Sequence, residues 1–213
     1  MGMGDYIIAS GIVRYYANIH KNIVLFYKDP YKDKVKRLYA DLDNITFLDG
    51  GTKEDHLAKS WVLLNPTKNL LKIRLERPLP SGSSLEEYFY NEARVPVEYK
   101  WKKFFFNRNK RRELEVYKDI GLSDDEKYIF VHDDSTVKTK LNTNLKIIRP
   151  DNMDIELFDY LLVMERAQEI HVMSSSFFCL IDCIQLDNDN LNFHEYVRNI
   201  PMGPSNLKWN IIK

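Results

Sequence analysis

Two kinds of apolar pattern alternate along this chain. Short unbroken runs at 23–27 (IVLFY), 45–48 (ITFL), 61–64 (WVLL), 128–131 (YIFV) and 145–148 (LKII) have the length and composition of buried strands. Ile170, Val172 and Met173 predict a further strand, residues 191–194 a last inner strand or turn, and 209–212 (WNII) a terminal one. Between these, apolar residues recur at helical spacing. Tyr6, Ile7, Ile8, Gly11, Ile12, Tyr15 and Tyr16 open the series, with Asp5 placed to cap that helix. Charged amphipathic helices are expected over 31–42 and 107–120, and a short one over 52–59. A strongly amphipathic helix is expected over 155–168, with Leu157, Phe158, Leu161, Leu162 and Met164 inside. Phe177, Leu180, Ile181 and Ile184 predict the last helix.

Strands alternating with helices predict an α/β fold, a parallel sheet covered by helices. The pattern is regular near both ends of the chain and breaks between. Residues 78–84 (PLPSGSS) read as a linker, and Ser84 with Glu87 forms a capping box for a helix over 85–93. Residues 101–106 (WKKFFF) read as a strand or a packing hook, and Gly121 as the terminator of the helix before it. The expected architecture is two small Rossmann-like lobes facing a cleft. An N-terminal lobe spans 1–84, a helical and aromatic connector 85–120, and a C-terminal lobe 121–213.

Composition narrows this reading. A hydrophobic fraction of 44% supports a real core, so wholesale disorder is excluded. Lys+Arg and Asp+Glu balance at 31 each, which gives no support for a nucleic-acid or membrane-surface binder. The basic run Arg108, Lys110, Arg111, Arg112 reads as the solvated face of a helix. No apolar run has the length of a membrane span, and no signal-peptide pattern opens the chain. Cys179 and Cys183 lie four apart on one helix face, a spacing suited to burial, and no second pair completes a zinc site. A reducing, cytoplasmic compartment is the simplest setting.

In sheets of this kind ligands sit beyond the C-terminal ends of the strands. That rule gathers residues 132–135, 173–176 and 193–194 in one lobe, with Gly4, Asp5 and Asp49 on the other. Ser174, Ser175 and Ser176 stand between a strand and a helix. There they can cap the helix or offer hydroxyls and free N–H groups to an anion. After the strand at 128–131 come His132, Asp133, Asp134 and Ser135. In one reading His132 or Ser135 binds a diphosphate, helped by Lys138 or Lys140. In another, Asp133 and Asp134 hold Mn²⁺ or Mg²⁺ bridging a diphosphate. In a third the segment is a polar turn. Asp5 is the best candidate general base, with His132 and His194 as alternatives. Glu165 reads as a paired helix residue or as a contact to a ribose or base edge. The acidic pairs Asp41/Asp43 and Asp187/Asp189 follow helical segments and read as chance matches to metal-binding pairs. P-loop, GxGxxG and GxSxG patterns are absent from the sequence.

Met3-Gly4-Asp5-Tyr6-Ile7-Ile8, followed by Gly11 and Arg14, resembles the N-terminal signature of the ADP-heptose:lipopolysaccharide heptosyltransferase-like family. The stretch 169–177 (EIHVMSSSF), with Leu180, resembles the nucleotide-binding turn in the second lobe of those enzymes. The resemblance implies a GT-B fold and an inverting glycosyltransferase without an essential metal. It implies a nucleotide-sugar donor and a glycan or other hydroxyl acceptor. Asp5 would then be the catalytic base, with Gly4 and Arg14 on the acceptor side. Ser174, Ser175 and Ser176 would hold the donor diphosphate, and His132, Asp133, Ser135 and Lys138 would line the donor pocket. The chain departs from that family in having only three residues before Gly4, where a strand is usual, and Met173 where an acidic residue is common. It is also shorter than those enzymes.

Overall fold

The computed structural model describes residues 2–51, 54–66, 68–71, 79, 82–133, 137–151, 154–197 and 201–213. The chain divides into two compact units, Met1–Asn107 and Arg108–Lys213. The segment expected as a connector is therefore shared, its first part lying in one unit and its last part in the other.

In the first unit, α1 (Met3–Ile8) and α2 (Ser10–Ile19) replace the single opening helix and meet at Ala9. Asp5 does cap the helix start, but from its third position and not as the N-cap residue, which is Gly2. It lies inside α1, where its Oδ2 accepts the Gly2 N–H at 2.8 Å. β1 (Ile23–Tyr27), α3 (Lys32–Leu38) and β2 (Ile45–Asp49) follow, and β1 and β2 pair in parallel with Ile23 opposite Ile45. The expected helix over 31–42 is shorter, with a 3₁₀ turn, Asp29–Tyr31, before it.

Residues 61–64 do not form the expected strand. They complete α4 (Glu54–Leu64), whose Trp61 meets the Phe26 ring at 6.4 Å, while Leu63 and Leu64 are each 82% exposed. A four-residue apolar run carries no period, so a helix end and a strand look alike in sequence. α5 (Leu85–Glu92) begins with the expected capping box: Ser84 Oγ accepts from the Glu87 N–H and Glu87 accepts from the Ser84 N–H, both at 3.2 Å. Residues 101–106 are not a strand either. α6 (Tyr99–Lys102) takes the first of them, and Phe104 and Phe106 then pack edge to face.

Gly11 explains why α2 and α6 can touch. A Cβ at this position would lie 2.3 Å from the Tyr99 carbonyl oxygen and 2.5 Å from the Tyr90 hydroxyl. That hydroxyl in turn donates to the Ile8 carbonyl.

Among its described residues the second unit is built on a five-stranded parallel sheet. α7 (Lys110–Asp119) ends at Gly121, which takes a φ of +77° as a terminator should. β3 (Tyr128–His132) and β4 (Lys146–Ile148) come next. The amphipathic stretch after them is a 3₁₀ turn, Leu157–Tyr160, followed by the short α8 (Leu161–Glu165) rather than one long helix. Leu157, Phe158, Asp159, Tyr160 and Leu161 are all buried, and one face of a regular helix cannot bury five residues in succession. β5 (Glu169–Met173), α9 (Ser176–Ile184), β6 (Leu191–His194) and β7 (Trp209–Ile212) complete the unit.

The sheet order is β4-β3-β5-β6-β7. Counted within the unit this is 2-1-3-4-5, a doubly wound order whose chain direction reverses between β3 and β5. Phe130 and His132 on β3 meet Phe177 of α9, and Phe193 on β6 meets Phe178, so α9 lies on one face of the sheet. On that face Asp182 of α9 accepts from the Trp209 Nε1–H at 3.0 Å and from the Ser205 hydroxyl, which ties the segment before β7 to the helix.

Candidate functional site

The strand order reverses between β3 and β5, and in doubly wound sheets ligands bind beyond the C-terminal strand ends at such a switch point. Residues just beyond those ends are His132 and Asp133 on one side and Ser174, Ser175 and Ser176 on the other. β6 adds His194, which pairs with Met173 in register. The rim expected from sequence in this unit is thus assembled by the strand order. Asp134 and Ser135 lie outside the described residues.

The serine turn forms for a local reason. Ser175 has extended backbone angles and caps α9, its Oγ accepting the Phe178 N–H at 3.4 Å, a long and weak cap. The first N–H groups of a helix have no intrahelical partner and carry partial positive charge. The Ser174 and Ser176 side chains are half-buried and make no hydrogen bond to the described residues. Two hydroxyls and a helix end can therefore meet an anion here.

His132 is half-buried, and its ring lies 4.5 Å from that of Phe177. Asp133 is spent on the fold. Its Oδ1 accepts the Thr139 N–H at 2.8 Å and its Oδ2 accepts from Arg149 Nε at 2.7 Å. Arg149 also donates to the Thr139 carbonyl, so one carboxylate pins the crossover between β3 and β4. Burial works to raise the Asp133 pKa, but the bonds from Arg149 and Thr139 outweigh it and hold the carboxyl below its usual range. This corrects the expectation of Asp133 as a direct donor contact or metal ligand, since both oxygens already have donors. Among the described residues no three His, Cys, Asp or Glu side chains form a group able to hold a metal ion. Lys138 is 70% exposed and its Nζ stands 4.0 Å from Asp133.

In the first unit Gly4 and Asp5 are half-buried in α1. The Gly2 N–H engages one oxygen of Asp5, leaving Oδ1 with lone pairs to offer. Arg14 is corrected outright. It is 7% exposed and forks onto Asp41 through two bonds of 2.8 Å, and it also donates to the Leu38 and Phe105 carbonyls. It is a structural clamp, not an acceptor contact. The hydrogen bond from Arg14 holds the Asp41 carboxyl below its usual range against the opposing effect of burial. Asp49 likewise caps its own turn, accepting from the Gly51 N–H at 2.7 Å. In the second unit Glu165 is paired with Arg108, which also bonds the buried Glu113; of the basic run, Arg108 is thus drawn inward while Arg111 is solvated.

Sequence reasoning missed one constellation. His171 and His194 lie side by side on β5 and β6, Nδ1 to Nε2 at 3.0 Å, and both are buried. Glu169 Oε2 sits 3.2 Å from His171 Nε2, and the Tyr196 hydroxyl 3.1 Å from His194 Nδ1. Burial first, and the neighbouring His171 second, lower the His194 pKa from 6.5 to about 4, with Asp133 acting the other way. His194 is therefore neutral at pH 7. The signal in the sequence was the two-residue spacing 169/171 and 194/196, which has no meaning until the register of β5 on β6 is known.

These features define a doubly wound α/β protein with a serine turn and a helix start at the switch point of its second sheet. The fold is shared with a solved glycosyl transferase family 9 structure from Veillonella parvula, with a TM-score of 0.60 over 100% of this chain and 83% of that one, at 11% sequence identity. The likeness bears out the α/β, GT-B-like fold class expected from sequence. No protein-family model matches the chain, and no curated protein matches its sequence. No helix among the described residues is long and apolar enough to cross a membrane.

Proposed function

We propose that this protein is a nucleotide-sugar-dependent glycosyltransferase of the heptosyltransferase-like kind. The observation that carries the reading is the serine turn. It presents two uncommitted hydroxyls and the start of α9 at the switch point of a doubly wound sheet, in a chain that shares its fold with a glycosyl transferase family 9 structure. In this reading Ser174, Ser176 and the first N–H groups of α9 bind the donor diphosphate, with Ser175 holding the turn. His132 and Lys138 line the donor pocket, and Asp133 shapes its wall through Arg149. Asp5 accepts the proton of the acceptor hydroxyl through its remaining oxygen, beside Gly4. Inversion follows from direct attack of that hydroxyl on the sugar carbon as the diphosphate leaves. Two buried free thiols suit a reducing, cytoplasmic setting.

Isothermal titration against nucleoside diphosphates and their sugars tests the reading. Binding is expected for at least one member, weakened tenfold or more in Ser174→Ala/Ser176→Ala and unchanged by EDTA. A folded protein that binds none of them overturns it. Asp5→Asn should cut transfer at least a hundredfold while leaving donor affinity intact. A non-catalytic nucleotide- or glycan-binding module is the second reading, favoured by the commitment of Arg14 to structure. Donor binding without turnover on any acceptor would select it. The metal-dependent alternative is disfavoured because both Asp133 oxygens are engaged by protein donors.

A further inference from the structure

Most large apolar side chains that the described residues expose stand singly. Ile19, Phe105, Leu114 and Ile211 are of this kind, which is ordinary for a protein surface. The end of α4 is different. Leu63 and Leu64 are neighbours and each is 82% exposed. Leu57, two helical turns before Leu64 and so on the same face, is 46% exposed. The next adjacent pair, Leu70 and Leu71, is 41% and 42% exposed.

Local bonds keep the two pairs together. Trp61 turns inward to the Phe26 ring, which leaves the opposite side of α4 facing out. The Asn65 side chain closes the helix by donating to the Trp61 carbonyl at 2.8 Å. The Lys68 N–H then donates to the Asn65 carbonyl at 2.9 Å, a turn that Pro66 suits in its second position. Such a turn holds its ends within about 7 Å, and one residue before it and two after it add about 11 Å at most. Leu64 and Leu70 therefore lie within about 18 Å of each other.

Charge narrows what fits this patch. Residues 56–75 carry Lys59, Lys68, Lys72 and Arg74 and no Asp or Glu, a local excess that the overall balance of the chain conceals. Lys59 and Lys68 are exposed. A second copy laid on the same face would bring these cations together with no carboxylate of the stretch to pair them. An anionic lipid surface suits both features. Leucines enter the acyl boundary, and lysine stems follow them while the ammonium groups stay among the headgroup phosphates. α4 has 11 residues, too few to cross a bilayer, so the contact is one of surface only.

We propose that the end of α4 and the turn after it dock the protein on an anionic lipid bilayer, with Leu63 and Leu64 as anchors and Lys59 and Lys68 as headgroup contacts. This surface belongs to the first unit and does not depend on the donor reading, since it makes no use of the serine turn.

Co-sedimentation of the full chain with phosphatidylcholine vesicles, with and without phosphatidylglycerol, tests it. At low salt the partition coefficient should be at least tenfold higher on the anionic vesicles, and about 0.5 M salt should remove most of that preference. Leu63→Ser/Leu64→Ser should lower binding to the anionic vesicles at least tenfold, at two positions so exposed that the fold, checked by circular dichroism, is retained. Lys59→Gln/Lys68→Gln should lower it about tenfold and leave binding to the neutral vesicles unchanged. An unaltered protein with no preference for anionic vesicles overturns the proposal, as does a preference that survives loss of the two leucines. A dimer in sedimentation that Leu63→Ser/Leu64→Ser turns into a monomer, without vesicle binding, assigns the face to a second copy and also overturns it. Nucleotide-sugar titration should be the same in all these variants, so failure here leaves the donor reading standing.

Discussion

The two units bury their strands to different degrees, and the contrast explains where side chains are free to act. In β3 residues 128–131 are fully buried, and β5 is buried from Ile170 to Met173. In the first unit β1 is half-buried along most of its length and β2 nowhere fully buried. That unit buries its apolar residues mainly on helices, Ile7, Ile12, Val35, Leu38 and Tyr90 among them, and is tied further by specific contacts: the Arg14 fork onto Asp41 and two carbonyls, the close approach at Gly11, and the Tyr90 bond to Ile8. A unit held by its apolar sheet can leave serines at its rim. A unit that adds polar clamps to a helical apolar core spends on structure some of the residues that look like a signature. Arg14 and Gly11 belong to that second group.

The largest effect that would break this comparison is at Arg14. Arg14→Ala leaves Asp41 and two carbonyls without their donor, at an expected cost of about 3–5 kcal/mol. Hydrogen exchange should show the loss of protection confined to residues 1–107. Protection lost equally in the second unit would mean that the units do not owe their stability to separate sources.

Next in size is a pH effect in the second unit. Unfolded, His194 takes up a proton below about pH 6.5, but folded only below about 4. Between those values the unfolded chain binds more protons, so stability is full above about 6.5 and falls as pH drops toward 4, by about 3 kcal/mol in all. Urea melts from pH 7 to 4.5 should show that slope, and His194→Gln should flatten it.

The smallest effects compare the two serine caps. Ser84→Ala removes a complete capping box and should cost about 1 kcal/mol of stability. Ser175→Ala removes a single 3.4 Å bond and should cost about 0.5 kcal/mol in thermal melts. A larger loss at Ser175 would show that its hydroxyl is committed to the helix more firmly than its geometry indicates.

Much of this was legible in the sequence. β1, β2 and β3 were visible as short runs rich in apolar and β-branched residues, and β5 from Ile170, Val172 and Met173 before the serines; burial matches that composition along β3 and β5 but much less in β1 and β2. The Ser84–Glu87 box and the Gly121 stop were visible because their chemistry is local. The run at 61–64 was misread because an apolar patch at a helix end has the same composition as a strand. The 155–168 helix was misread because burial on all sides erases the stripe that distinguishes a helix from a 3₁₀ turn. The serine turn was found from the strand before it and the helix after it. The commitments of Asp133 to Arg149 and of Arg14 to Phe105 were not visible, since they join residues whose proximity only the fold creates.

The strand pairings have a further consequence, in time rather than in energy. Among the described residues all of them are parallel, in both sheets, so none of these can be closed by a hairpin. β3 must also wait for β5, with β4 and the whole 149–168 stretch threaded between. Assembly of the second unit then depends on closing long loops before any contact rewards them, and its apolar strands stay open meanwhile. The same apolar residues that β3 and β5 bury in the finished molecule make these strands aggregation-prone while it forms.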